Sequence, residues 1–75
     1  MSSVSQRILN LVKKRVNHVI EIDTDLYGNG FDSLLMMELV VDIEAEFGIE
    51  LPPVALTRDR LRTIAKITQS VEALL

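Results

Sequence analysis

Three patterns of chemistry-bearing side chains compete within residues 23–34. Asp23 and Asp25, followed by Gly28, have the opening spacing of a calcium-binding loop. The pattern fails at its fifth position, Tyr27, and at its twelfth, Leu34, where a bidentate glutamate belongs. Ser33 could serve as a nucleophile, but Phe31-Asp32-Ser33-Leu34-Leu35 lacks the glycines of a nucleophile elbow. The one histidine of the chain, His18, is then the only imidazole base available to it. A histidine near the end of a first helix is more simply a surface or capping residue. The third pattern makes Ser33 a modification site. In it, Asp32-Ser33-Leu34 follows the glycine-containing segment Gly28-Asn29-Gly30 and opens the acidic second helix.

The elements that must hold these residues follow from periodicity and caps. Ser3 and Gln6 have capping-box spacing, and Val4, Ile8, Leu9, Val12, Val16 and Val19 recur on one side, which predicts a first helix from about Ser3 to Val19. Arg15 falls at the edge of that stripe, where its stem can pack while its head reaches water. Residues 20–31 read as a loop pinned by Ile22, Leu26, Tyr27 and Phe31. Asp32 as N-cap and Gly48 as C-cap glycine bound the second helix, whose core stripe is Leu35, Met36, Leu39, Val40, Ile43 and Phe47. Leu34, Met37, Val41 and Ala45 fall mostly opposite, bordered by Glu38, Asp42 and Glu44. Pro52-Pro53 ends any helical path. A short third helix is expected within Val54–Leu61, started by Thr57. A last helix is expected from about Thr63 to Leu75, with Ile64, Ile67, Val71, Leu74 and Leu75 inward. The predicted fold is all-α: a small four-helix bundle of three main helices and one short one, with a long first loop, in a single domain over residues 1–75.

Composition narrows the function. Seventy-five residues leave little room for an enclosed enzyme site. No cysteine means no disulfide and no thiolate metal site, and one histidine cannot build a multi-histidine centre, so no metal ligands are assigned. A net charge of −3 argues against nucleic acid as a partner, and no apolar run of about twenty residues spans a membrane. A cytoplasmic monomer is the expectation, with no enzymatic activity of its own. The charge is uneven: +4 over residues 1–20, −9 without a base over 21–51, and +2 over 52–75. Such a density of acids must either be offset by the basic flanks or face a cationic partner.

With Gly30-Phe31-Asp32-Ser33-Leu34, Glu38, Glu44-Ala45-Glu46-Phe47-Gly48-Ile49-Glu50-Leu51-Pro52 and, more weakly, Leu61-Arg62-Thr63-Ile64, the chain resembles the phosphopantetheine-dependent acyl and peptidyl carrier proteins over essentially its whole length. The resemblance implies that Ser33 carries a covalent 4′-phosphopantetheine arm derived from coenzyme A, with Asp32 and Leu34 completing the motif. A separate phosphopantetheinyl transferase would install it, and the arm's thiol would hold cargo as a thioester, which explains thiol chemistry in a chain without cysteine. It also implies transient docking of acyl-loading, condensing and tailoring enzymes on the second helix. Leu34, Glu38, Val41 and Glu44 match partner-contact positions, and Met37 lies on the same strip. Gly-Phe-Asp-Ser-Leu looks most like the polyketide type, so a free-standing acyl carrier for polyketide or related specialised (antibiotic) metabolism is expected. An aminoacyl or peptidyl carrier of nonribosomal type is the close alternative, and an unmodified helical interaction module the alternative from another class.

Overall fold

The structure is a computed structural model that describes residues 3–75. Ser3 is extended, and its hydroxyl accepts the Gln6 N–H at 3.1 Å, starting α1 (Val4–Lys13). Its buried face is Ile8 and Val12, with Val4, Leu9 and Leu11 packed beside them. The helix is shorter than periodicity predicts. A tighter turn, Arg15 N–H to Val12 O at 3.0 Å, closes it, and Val16, Asn17, His18 and Val19 are weak helix formers. Ile20 instead turns into the core while Val19 is 84% exposed. Extending α1 through Val19 would carry the chain away from that burial.

The first loop is correspondingly longer, running from Lys14 to Asp32, and backbone bonds as well as side chains hold it. Ile20, Leu26 and Phe31 are buried, Tyr27 is half-buried, and Ile22 is half-exposed rather than a side-chain pin. Ile22 contributes its carbonyl, which accepts the Ala65 N–H at 2.9 Å, while the Leu26 N–H donates to Arg62 O at 2.8 Å. A 3-10 turn over Leu26–Gly28 is capped by Asp25, whose carboxylate accepts the Tyr27 N–H at 3.1 Å.

Both ends of α2 (Ser33–Phe47) are set by the residues expected to set them. Asp32 caps the start, and Gly48, at φ 64°, takes the left-handed conformation that ends it. Met36, Leu39, Val40 and Ile43 are buried, with Leu35 and Phe47 half-buried on the same side.

The short third helix expected within Val54–Leu61 does not form. It is replaced by a 3-10 turn over Pro53–Ala55 and a separate turn in which the Thr57 hydroxyl accepts the Arg60 N–H at 3.3 Å and the Thr57 carbonyl accepts the Leu61 N–H at 3.1 Å. Burying both Ala55 and Leu61, six residues apart, suits two turns better than one continuous helix. The last helix, α3 (Ile64–Glu72), is capped by Thr63 and buries Ile64, Ile67 and Val71. It stops before Leu74 and Leu75, which are exposed rather than inward. The result is an all-helical bundle of three main helices, with no strand among the described residues.

Candidate functional site

Ser33 is the first residue of α2, and its placement rests on the residues before it. Phe31 is buried, and its N–H donates to Leu26 O at 3.1 Å, which anchors the chain to the core directly before the helix. Asp32 is extended, and its Oδ1 accepts the Leu35 N–H at 2.8 Å. That cap leaves the Ser33 and Leu34 amides as the free first-turn donors. Ser33 is exposed, and no described residue hydrogen-bonds its hydroxyl. An exposed hydroxyl beside two free amides at a positive helix end fits the phosphodiester of a phosphopantetheine arm.

Before the cap, Gly30 has φ 105°, and a Cβ there would lie 3.0 Å from Val16 Cγ1 and 3.1 Å from His18 Cε1. His18 explains the close approach: its Nε2–H donates to Asn29 O at 2.7 Å. The imidazole thus fastens the loop that delivers Ser33. The Asn29 side chain adds a second tie, donating to Asp25 O at 2.8 Å. Asp25, besides capping Tyr27, lies 3.9 Å from Arg62, and no group of three possible metal ligands occurs among the described residues.

The strip opposite the core stripe of α2 is exposed: Leu34 at 71%, Met37 at 44% and Val41 at 63%, with Ala45 continuing it. The neighbouring acids have internal partners. Arg15 donates from Nε to Asp42 Oδ2 and from Nη1 to Glu38 Oε1, each at 2.7 Å. The Arg15 pKa is pushed above the usual arginine value, first by its hydrogen bond with Asp42; burial opposes this, and the charges of Asp42 and Glu38 and the Glu38 hydrogen bond add to the rise. Arg7 donates to the Glu46 carboxylate at 2.9 Å and lies 4.3 Å from the Phe47 ring centre. Glu44 accepts the Leu51 N–H at 2.8 Å, tying α2 to the segment that follows it. Arg7 on α1 and Arg15 just past it therefore offset part of the negative charge of α2. The sequence reading missed this use of Arg15 and of His18, because their partners lie 11 to 27 residues away.

Comparison with known proteins agrees with this geometry. The family described as "Phosphopantetheine attachment site" matches residues 6–71. D-alanyl carrier proteins of several Streptococcus pyogenes serotypes are 43% identical over 54 residues, covering 71% of this chain and 68% of each relative. A chain from the crystal structure of an engineered Bradyrhizobium japonicum glycine:[carrier protein] ligase complexed with carrier protein from Agrobacterium tumefaciens and ATP superposes with a TM-score of 0.86 at 26% identity, covering 95% of this chain and 99% of its own. No helix among the described residues is long and apolar enough to cross a membrane. A match over residues 6–71, on a helical bundle of the same shape as a solved carrier, makes this chain a member of the phosphopantetheine-attachment family of carrier proteins, with 4′-phosphopantetheine as its covalent cofactor.

Proposed function

We propose that Ser33 is the attachment residue and that the protein delivers a small aminoacyl group between partner enzymes. The observation that carries the attachment is the exposed, unengaged hydroxyl of Ser33 on the first turn of α2. The other described serines are occupied differently: Ser3 caps α1, Ser5 lies 3.2 Å from Ser3, and Ser70 is half-buried on α3. The arm supplies a terminal thiol that holds cargo as a thioester. The chain's own residues do the positioning: Asp32 holds the first turn, Phe31 fixes the entry, and the Ser33 and Leu34 amides are the donors that would hold the phosphodiester.

Partners dock on α2. Its exposed strip, Leu34, Met37 and Val41, gives a phosphopantetheinyl transferase and the loading and downstream enzymes an apolar surface for brief contact, with Glu38 and Glu44 at its border. The names of the relatives, which concern D-alanine and glycine, favour a single small amino acid as cargo. The polyketide type of acyl cargo rests on Gly30-Phe31-Asp32-Ser33-Leu34. That motif surrounds the attached end of the arm, not the thiol end where cargo differs.

Incubation with coenzyme A, magnesium and a broad-specificity transferase is expected to add one phosphopantetheine, about 340 Da. Ser33→Ala is expected to stay unmodified with unchanged helical circular dichroism. A wild type left unmodified by several transferases, or a modified Ser33→Ala, would overturn the assignment. Intact mass of the protein isolated from its host separates an aminoacyl from a polyketide-type acyl load.

A further inference from the structure

Arg15 stands just past the end of α1 and reaches across to α2, where two fork positions of its guanidinium hold Asp42 and Glu38 at 2.7 Å each. Both carboxylates lie on one face of α2, a turn apart. Glu38 comes four residues after Leu34 and three before Val41, so it borders the exposed apolar strip. The Arg15 side chain is only 26% exposed, against 49% for Glu38 and 32% for Asp42. The acid best placed to meet a partner is thus already engaged from within. Charge-assisted contacts of this length are the strong ones, and an arginine fork holds its geometry at little further entropic cost. Arg15 occupies Glu38 Oε1 and Asp42 Oδ2 and sets a positive charge beside both carboxylates, so a partner cation that reaches their remaining oxygens meets charge already partly neutralised. Apolar contact with Leu34, Met37 and Val41 carries no such penalty.

We propose that Arg15 is a specificity determinant for docking, an internal competitor that weakens the pull of Glu38 and Asp42 on cationic partner surfaces and leaves α2 to be read mainly through its apolar strip. This rests on the reading of α2 as the docking element. It selects against enzymes that recognise a carrier through helix-two carboxylates and leaves those that grip by apolar contact unaffected. Arg15 touches no reacting atom; it acts through Glu38 and Asp42.

The test is loading of the apo protein from coenzyme A by a transferase whose docking surface is basic. Arg15→Met keeps the aliphatic stem and removes the fork, while Lys14→Met makes the same change in net charge one residue away, at an exposed lysine with no ion pair among the described residues. Arg15→Met is expected to exceed Lys14→Met in kcat/KM by about threefold or more at low ionic strength, mainly through KM. The advantage is expected to vanish at about 0.5 M salt, where surface charges are screened. Equal values for the two variants at low salt overturn the proposal. Should Arg15→Met not fold, Glu38→Gln in the otherwise unchanged protein decides: loading within about twofold of wild type supports masking, and a fall of about tenfold shows Glu38 open to the enzyme and overturns it. Val41→Ser separates the two layers of the argument. Loss of loading in Val41→Ser with no gain in Arg15→Met overturns the role of Arg15 alone, whereas insensitivity to both overturns α2 docking as well.

Discussion

His18 Nε2 donates to the Asn29 carbonyl at 2.7 Å, joining the chain just past α1 to the loop that precedes Ser33. His18→Ala is expected to lower stability by about 1 kcal/mol, the usual net worth of such a bond. Amide hydrogen exchange is expected to quicken over residues 28–32 while the α3 amides keep their protection.

Two glycines of that loop answer differently to a methyl group. Gly30→Ala must fit a Cβ 3.0 Å from Val16 Cγ1 while holding φ at 105°, so a loss of about 2 kcal/mol or more in urea unfolding is expected. At Gly28 a Cβ meets nothing within 4 Å and φ is not in the left-handed range. Gly28→Ala is expected to be neutral or stabilising by about 0.5 kcal/mol, because it restricts the unfolded chain.

Glu44 has a structural use within the fold. Its carboxylate accepts the N–H of Leu51, a residue 4% exposed. Glu44→Ala leaves that amide without its acceptor, and a cost of about 1–3 kcal/mol is expected. Glu44→Gln keeps an acceptor oxygen and is expected to cost less. Thermal unfolding of the two variants measures the difference.

The two sides of α2 are expected to separate stability from the proposed docking. Leu34→Ser is expected to stay within about 0.5 kcal/mol of wild type, since the side chain is exposed. Its KM as a substrate of the transferase is expected to rise. Leu39→Ala, on the buried side, is expected to cost about 2–5 kcal/mol by opening a cavity.

Lys66 Nζ donates to both Asp59 carboxylate oxygens at 3.1 Å, and this hydrogen bonding, then the lysine charge, holds Asp59 below the usual carboxylate range. Because the folded pKa is the lower one, the unfolded chain binds the proton more readily. The contribution is therefore complete above about pH 4 and is lost as pH falls through the folded pKa. Asp59→Asn is expected to be slightly less stable than wild type at neutral pH, with the gap closing on acidification. Urea midpoints measured across acid and neutral pH check the sign.

What the sequence determined by itself was local. Capping by Ser3, Asp32 and Thr63 involves an N–H three residues on, and the Gly48 stop needs only its own backbone freedom. The buried stripe of α2 follows from helical spacing alone. The exposed strip through Leu34, Met37 and Val41 follows from the same spacing, whereas Asp32-Ser33-Leu34 was legible through its resemblance to carrier proteins. Tertiary structure decided what depends on distant partners. Periodicity continued α1 to Val19, but burial of Ile20 and the contact of His18 with Asn29 ended it at Lys13. Thr57 pointed to a short helix within Val54–Leu61, where burying both Ala55 and Leu61 gave two separate turns. The −9 of the middle third read as a face for cationic partners or as charge offset by the flanks. Folding took the second course for Glu38, Asp42 and Glu46, because Arg7 and Arg15 lie 23 to 39 residues from them in sequence but within hydrogen-bond reach in space. Charge is written into each residue, but which charge it meets is settled only when the helices pack.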